Sequence, residues 1–298
     1  MRERITMERE MEMLGLRDQG ISYELKIKPG GQTVSNTFDV PFRWICRLQV
    51  EVPHSKGWEQ KEPGTGVLVG PRHVLTAAHV VDPYNKLPAG QWRVIARLAF
   101  DGSRDLGEEI SSKAYVSKGW QAKKKDALDP GAYDYAMIIL PGDITSKPRK
   151  ELGNKPLGYW GQSTVDYKTV FAPLKAESLE AKFIYCAGYP RGVKRAMWVG
   201  AGKLSNILFR TGTKIVRRKR GMNHDAMTSL AEDAHGMSGG PVWYSDSVPC
   251  LVGINNTISQ IPEADPDGKI IRKRWQAHAA RVTIEFFNEV SEWIKANP

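Results

Sequence analysis

Cysteine is scarce in this chain. Its three cysteines, Cys46, Cys186 and Cys250, are far apart and odd in number. That excludes a disulfide framework and leaves three buried thiols in a reducing compartment as the expectation. No run of about 18 apolar residues occurs, so no transmembrane segment is expected. The N-terminus, Met1-Arg2-Glu3-Arg4-Ile5-Thr6-Met7-Glu8-Arg9-Glu10, lacks an apolar signal core. A cytoplasmic location, or export without a cleavable signal peptide, follows as the expectation. No histidine pair stands at a metal-like spacing with cysteine or carboxylate, so neither metal nor cofactor is expected.

What is present points to β structure. The 298 residues suffice for one large domain or two small ones, and 41% are hydrophobic, enough for a sizeable core. Many short Val/Ile-rich runs are separated by 28 glycines and 18 prolines, the pattern of an all-β barrel or sandwich. The formal charge is +10, concentrated in Lys123-Lys124-Lys125, Arg217-Arg218-Lys219-Arg220 and Arg272-Lys273-Arg274. These runs lack interleaved aromatics, so a nucleic-acid partner is not expected. Solvated hairpin tips are the plain reading, and an acidic partner is the functional one.

Three segments carry chemistry. In Gly236-Met237-Ser238-Gly239-Gly240-Pro241 a serine sits between glycines. Such a turn exposes the hydroxyl, lets a carbonyl approach and points backbone N–H groups at a developing oxyanion. In Thr76-Ala77-Ala78-His79 a histidine closes a small apolar run, where it can be held rigidly as a general base. In Tyr133-Asp134-Tyr135-Ala136-Met137-Ile138-Ile139-Leu140 an aspartate opens an apolar strand, which would bury it. Its rivals Asp126 and Asp129 lie in a lysine-rich loop and read as solvated.

The order His79, Asp134, Ser238 in these contexts resembles the trypsin/chymotrypsin-like serine peptidases. Gly64-Thr65-Gly66-Val67-Leu68-Val69 before Val74-Leu75-Thr76-Ala77-Ala78-His79 is similar to the family's histidine-bearing strand pair. Ala187-Gly188-Tyr189-Pro190 resembles a turn of the bacterial glutamyl-endopeptidase-like branch, and Leu251-Val252-Gly253-Ile254 its substrate-flanking strand. The resemblance implies an all-β fold of two six-stranded Greek-key β-barrels with the active site between them. The N-terminal extension would span 1–40, the first barrel 41–150, and the second barrel with a C-terminal helix 151–298. It also implies a serine endopeptidase that forms an acyl-enzyme on a protein or peptide substrate; the missing signal core, not the resemblance, motivates a role as a regulatory or effector protease. Ser238 would be the nucleophile, His79 the base and Asp134 its orienting partner, with an oxyanion hole from the N–H groups of Gly236 and Ser238.

Specificity is less directly written. Glu232, followed by Asp233, falls where the family places its pocket floor, and a carboxylate there favours Lys or Arg. A shifted loop with both acids solvated is the alternative. Glutamyl endopeptidases place a histidine where this chain has Asn255, which removes the support for glutamate specificity. A basic preference would make Arg217–Arg220 a candidate self-cleavage site. Animal members have aspartate where this chain has Met237, so no freed N-terminal amine is expected to order the oxyanion hole. Two other readings stay open: a catalytically inert binding module on this fold, and an α/β-hydrolase esterase using His278 with Asp265 or Asp267. Outside the barrels, a short charged helix is expected over Ile5–Gly20. A polar connector is expected over Pro141–Tyr159, and a helix from Ile284 to Lys295 with Phe287, Val290, Trp293 and Ile294 on one face.

Overall fold

The computed structural model describes residues 31–88, 90–122, 131–164, 166–174, 176–179, 183–191, 196–203, 208–211, 214–217, 221–224, 234–245, 248–264 and 270–298. The expected helix over Ile5–Gly20, the runs Lys123–Lys125 and Arg218–Arg220, and Asp126, Asp129, Asp265 and Asp267 lie outside them.

Two curled antiparallel sheets carry the fold, as expected. The first has seven strands in the order Glu108–Ser111, Arg93–Leu98, Ile45–His54, Gly57–Gly70, His73–Thr76, Ala136–Ile139, Ala114–Val116. Arg93–Leu98 alternates buried and half-buried residues, the two-residue period of a strand with one face on a core. His73–Thr76 and Ala136–Ile139 are buried throughout, because they lie inside the curl.

The second sheet runs Gln32–Thr33, Trp198–Lys203, Phe183–Gly188, Pro241–Ser245, Pro249–Ala264, Ile270–Arg281, Gly221–His224, with Val170–Phe171 added in parallel against Pro249–Ala264. The sheets thus hold seven and eight strands. Part of the excess over six comes from short edge pieces such as Gln32–Thr33. That piece binds Thr33 and Gln32 to Trp198 and Val199. Four residues later, Thr37 donates its hydroxyl to the Ala99 carbonyl beside the first sheet. The stretch before residue 41 therefore clamps both sheets where it is described.

An aromatic seam joins the sheets. Trp44 precedes the Ile45–His54 strand, Trp243 lies in the second sheet, and Trp160 belongs to the segment between them; all three are fully buried. Trp160 packs edge-on to both, with centroids 5.9 Å from Trp44 and 5.6 Å from Trp243. Edge-to-face aromatics of this kind add specific contact to a large apolar burial. The Trp44 indole donates to Leu157 O and that of Trp160 to Val170 O, so their N–H groups are not orphaned. The three cysteines are free and buried, and burial pushes the thiols of Cys46 and Cys186 far up.

The C-terminal helix, Ile284–Ala296, starts where Thr283 accepts a bond from the Phe286 N–H, an ordinary N-cap. Its buried face is Phe286, Glu289, Val290 and Trp293, spaced for one helical stripe. Phe287 and Ile294, expected on that stripe, are only partly buried against the core. The register turned by one residue because Phe286 packs on Tyr135, 3.9 Å between centroids. Glu289 is the polar member of the face. One carboxylate oxygen accepts the Tyr135 hydroxyl at 2.5 Å and the other the Lys118 N–H at 2.9 Å. Glu289→Ala takes the acceptor from both donors, and Tyr135 is buried. The Lys118 N–H lies on an exposed residue and can turn to water, so we expect a loss of about 2 kcal/mol, from the one unmet buried donor, read as a lower midpoint in urea unfolding at unchanged slope. Among the described residues, no helix is long and apolar enough to cross a membrane.

Candidate active site

The strand His73–Thr76 ends at the helix Ala78–Asn85, whose second residue is His79. The helix has no side-chain cap of its own at Ala77. Asp134, two residues before Ala136, the strand partner of Thr76, fills that role from outside. Its Oδ1 accepts the His79 backbone N–H at 2.9 Å and its Oδ2 accepts the imidazole Nδ1–H at 2.7 Å. One carboxylate therefore satisfies an orphan helix donor, meets the positive end of the helix and fixes the ring. Asp134 is 2% exposed, so its attraction to His79 acts with little solvent screening.

With Nδ1 committed, the free lone pair of a neutral His79 lies on Nε2. Burial lowers the basicity of the ring; the hydrogen bond and charge of Asp134 outweigh it and leave the imidazole above its ordinary 6.5. A ring in this state takes up a proton readily and holds it beside a fixed anion, as a general base must.

Ser238 sits on the turn entering Pro241–Ser245. Gly236 has φ +97°, and a Cβ there would lie 2.3 Å from the Tyr189 carbonyl oxygen. Only glycine fits both the left-handed backbone and the close approach. Among the described residues neither the N–H of Gly236 nor that of Ser238 has an acceptor. Two free donors flanking a serine hydroxyl are what an oxyanion hole needs.

Thr65 braces this turn. Its N–H donates to Ser238 O at 2.8 Å, and its hydroxyl donates to Gly236 O at 2.7 Å while accepting the Tyr189 N–H at 3.0 Å. Thr76, three residues before His79, donates its own hydroxyl to Thr65 O at 2.7 Å. The histidine and serine segments are thus tied through one threonine, whose presence in Gly64-Thr65-Gly66 gave no hint of it.

Asn256 is the other residue the sequence did not single out. It sits in a bulge, skipped between the pairs Asn255–Ala279 and Thr257–His278. Bulges re-aim groups near functional sites, and here the Asn256 carbonyl accepts the Ser238 hydroxyl at 3.1 Å. Its amide donates to Gly131 O at 2.7 Å, the same carbonyl that accepts the Asp134 N–H at 3.1 Å. The serine hydroxyl, with one proton, therefore points at Asn256 and not at His79.

The specificity residues fall differently. Glu232 and Asp233 lie outside the described residues. Asn255 is buried, and its amide donates to Met237 O at 3.3 Å. His278 stands on Ile270–Arg281 opposite Thr257, and the Ser238 hydroxyl bonds Asn256 instead. His235 is exposed, and its carbonyl accepts the Arg191 N–H at 2.7 Å.

An open cavity of about 580 Å³ adjoins the Gly236 turn, walled by Arg47, Glu59, Lys61, Pro63, Tyr189 and Arg191 among others.

A family model described as a trypsin-like peptidase domain matches residues 64–254. Among solved structures, a Glu endopeptidase is 18% identical, with a TM-score of 0.54 over 91% of this chain and 100% of that one. A thermostable serine protease from an extremophilic microorganism is 14% identical, TM-score 0.51, over 86% and 97%. An inactivated protease paralogue of the scabies mite is 15% identical, TM-score 0.53, over 90% and 100%. No curated protein matches the chain. At these identities the neighbours share the fold alone. One of them is described as inactivated, so activity has to be argued from residues.

Proposed function

Because this chain belongs to the family of trypsin-like peptidase domains, we propose that it is a serine endopeptidase working through His79, Asp134 and Ser238. The observation that carries the reading is the bond between the His79 imidazole and a buried Asp134 at 2.7 Å, beside a serine with two unoccupied N–H donors.

In this mechanism a substrate carbonyl enters at Ser238, with its oxygen towards the N–H groups of Gly236 and Ser238. The serine hydroxyl leaves the Asn256 carbonyl by a turn about its Cα–Cβ bond and gives its proton to His79 Nε2. Attack forms a tetrahedral oxyanion held by the two donors, while Asp134 stabilises the imidazolium. His79 then protonates the leaving amine. Water repeats the sequence on the acyl-enzyme and releases the acid.

A place near the glutamyl-endopeptidase-like branch is the finer reading, favoured by the Gly188-Tyr189-Pro190 turn. The Tyr189 carbonyl packs against Gly236, so that turn has a defined task at the site. Asn255 in place of the branch's histidine argues that glutamate is not the residue before the cut.

The inert-module reading and this one part at a single experiment. A fluorophosphonate probe is expected to label the intact chain covalently and to leave Ser238→Ala unlabelled. Absence of label on the folded wild-type chain would sink the peptidase reading. Labelling that requires prior removal of residues 1–40 would contradict the expectation drawn from Met237.

A further inference from the structure

His73 is a fully buried histidine that the peptide-cleaving steps do not use. It opens the strand His73–Thr76, whose far end leads into His79. Its Nε2 donates to the Asn297 carbonyl at 2.9 Å, so a neutral ring carries its bare lone pair on Nδ1. Nδ1 is buried and has no hydrogen-bond partner among the described residues. Gly70, paired with His73 across the hairpin, closes over that nitrogen: a Cβ on it would lie 2.7 Å away. A second proton on this ring would place a charged N–H where nothing accepts it.

The partner, Asn297, ties the C-terminal helix to the first sheet. Its N–H donates to Ile294 O at 3.2 Å and its side-chain amide to Trp293 O at 2.8 Å. Its Oδ1 accepts the Lys113 ammonium at 2.6 Å and the Tyr115 hydroxyl at 3.5 Å. The helix it ends reaches the active site. Glu289 accepts the hydroxyl of Tyr135, the residue after Asp134, and Phe286 packs on the Tyr135 ring. His73 pairs with Ile139 and Thr76 with Ala136, so the strands that lead to His79 and from Asp134 meet at this contact.

The surroundings of the ring oppose a second charge. Arg72 precedes it, with its Nε on Leu140 O at 2.8 Å. Lys113 and Tyr115 approach through Asn297. The neighbouring strands bring Gly70 and Ile139, neither of which ionises. The carbonyl end of a helix favours a cation, and the bond to Asn297 raises the basicity of the ring. Burial, helped by the Arg72 charge, outweighs that and holds the ring below its ordinary 6.5. For such a group the neutral ring's contribution to stability is full above 6.5. It is lost as pH falls from there through the folded value.

We propose that His73 and Asn297 form an acid-released latch: protonation at His73 Nδ1 opens the contact, and the helix Ile284–Ala296 lets go of the first sheet and of Tyr135. Gly70 is fixed in the strand pairing, whereas Asn297 hangs on the end of one helix, so the helix is the side that yields to water. The latch gives His73 the opposite sense to His79, whose fixed anion welcomes the proton. Its meaning for cleavage rests on the endopeptidase reading above; the latch itself does not.

Hydrogen exchange of the helix amides tests it, in Ser238→Ala protein so that self-cleavage plays no part. After correction for intrinsic exchange, helix protection is expected to fall by roughly tenfold or more between about pH 7.5 and about pH 5, since each unit between the closed and open values of a group is a factor of ten. Adding His73→Gln, which keeps an N–H near the Nε2 position and cannot take a second proton, should remove that fall. The acids of the helix are the same in both proteins, so their titration cancels. Nitrogen NMR of the imidazole needs no variant at His73. It should show the proton on Nε2 at about pH 7.5 and a second one on Nδ1 appearing in step with helix release. In the wild-type chain, kcat/KM should fall on the acid side more steeply than the first power of proton concentration, and in His73→Gln with the first power. An equal fall in protection with and without His73→Gln overturns the proposal. So does a helix that loosens while the His73 ring stays neutral, or a first-power acid limb in both active proteins. Helix release with no cleavage at any pH supports the latch and sinks the endopeptidase reading.

Discussion

Replacing Ser238 by alanine is expected to lower kcat for peptide cleavage by about 10⁶-fold, and adding His79→Ala is expected to cost almost nothing further. The two residues act as one unit. The hydroxyl is a nucleophile only while the imidazole removes its proton, so losing either disables both. What remains is the pair of N–H donors at Gly236 and Ser238, which should still accelerate hydrolysis by about 10³-fold over water. Asp134→Asn should cost less, about 10⁴-fold. Both carboxylate oxygens of Asp134 accept from donors, the His79 backbone N–H and the Nδ1–H. An asparagine must turn an NH₂ towards one of them. Turned to the ring, it forces the proton onto Nε2, and the base can no longer take the serine proton.

The pH profile separates this loss from unfolding. Burial lowers the His79 value; the Asp134 bond and charge raise it further than burial lowers it, to above 6.5. The neutral imidazole is the active form, so kcat/KM should rise with pH through a midpoint above 6.5. In Asp134→Asn the raising causes go and burial remains, so the midpoint should fall below 6.5. Stability has the opposite sense. A raised folded value means this pair's contribution is fully present below 6.5 and fades as pH rises through the folded value. A midpoint unmoved by Asp134→Asn would show that Asp134 does not set the basicity of His79.

The residues that could be read from sequence share one property: their task is local. Ser238 declares itself through its glycine neighbours, and Asp134 through the apolar run it opens. The helix Ile284–Ala296 shows in its spacing, with the face off by one residue because Tyr135 chooses Phe286. Thr65 and Asn256 work only through partners far along the chain. The Thr65 hydroxyl meets Gly236 across 171 positions, and no local pattern encodes such a meeting. Asn256 was hidden for a second reason. What touches Ser238 is its backbone carbonyl, turned there by a bulge, and a carbonyl carries no sequence signature. The strand Glu108–Ser111 was missed because it lies at a sheet edge, with only one residue buried, so it shows little apolar pattern to read.

Gly239→Ala is the second substitution expected to have a large effect, and Gly153→Ala is its matched control. Both glycines have positive φ, +89° and +66°, so both alanines suffer the left-handed penalty of about 1–2 kcal/mol. At Gly153 nothing lies within 4 Å of the added carbon, and the penalty is the whole cost. At Gly239 the carbon would sit 2.0 Å from Thr65 O, 2.1 Å from the Thr76 hydroxyl and 3.0 Å from Ala77 N. The Thr76 hydroxyl already bonds Thr65 O, so neither can move without breaking that link. Displacing Thr65 also loosens its bonds to Ser238 O and Gly236 O. The total should exceed about 4 kcal/mol, the range reserved for strain and clash at a fixed backbone. Chemical unfolding of the two variants side by side measures the difference. Activity should follow the same geometry. A shift of about 1 Å at a catalytic group costs about 10²-fold, so folded Gly239→Ala should lose kcat while folded Gly153→Ala keeps it. Equal stability in the two variants would mean that the Ser238 turn is not braced by Thr65. The tie between the histidine and serine segments would then have to lie elsewhere.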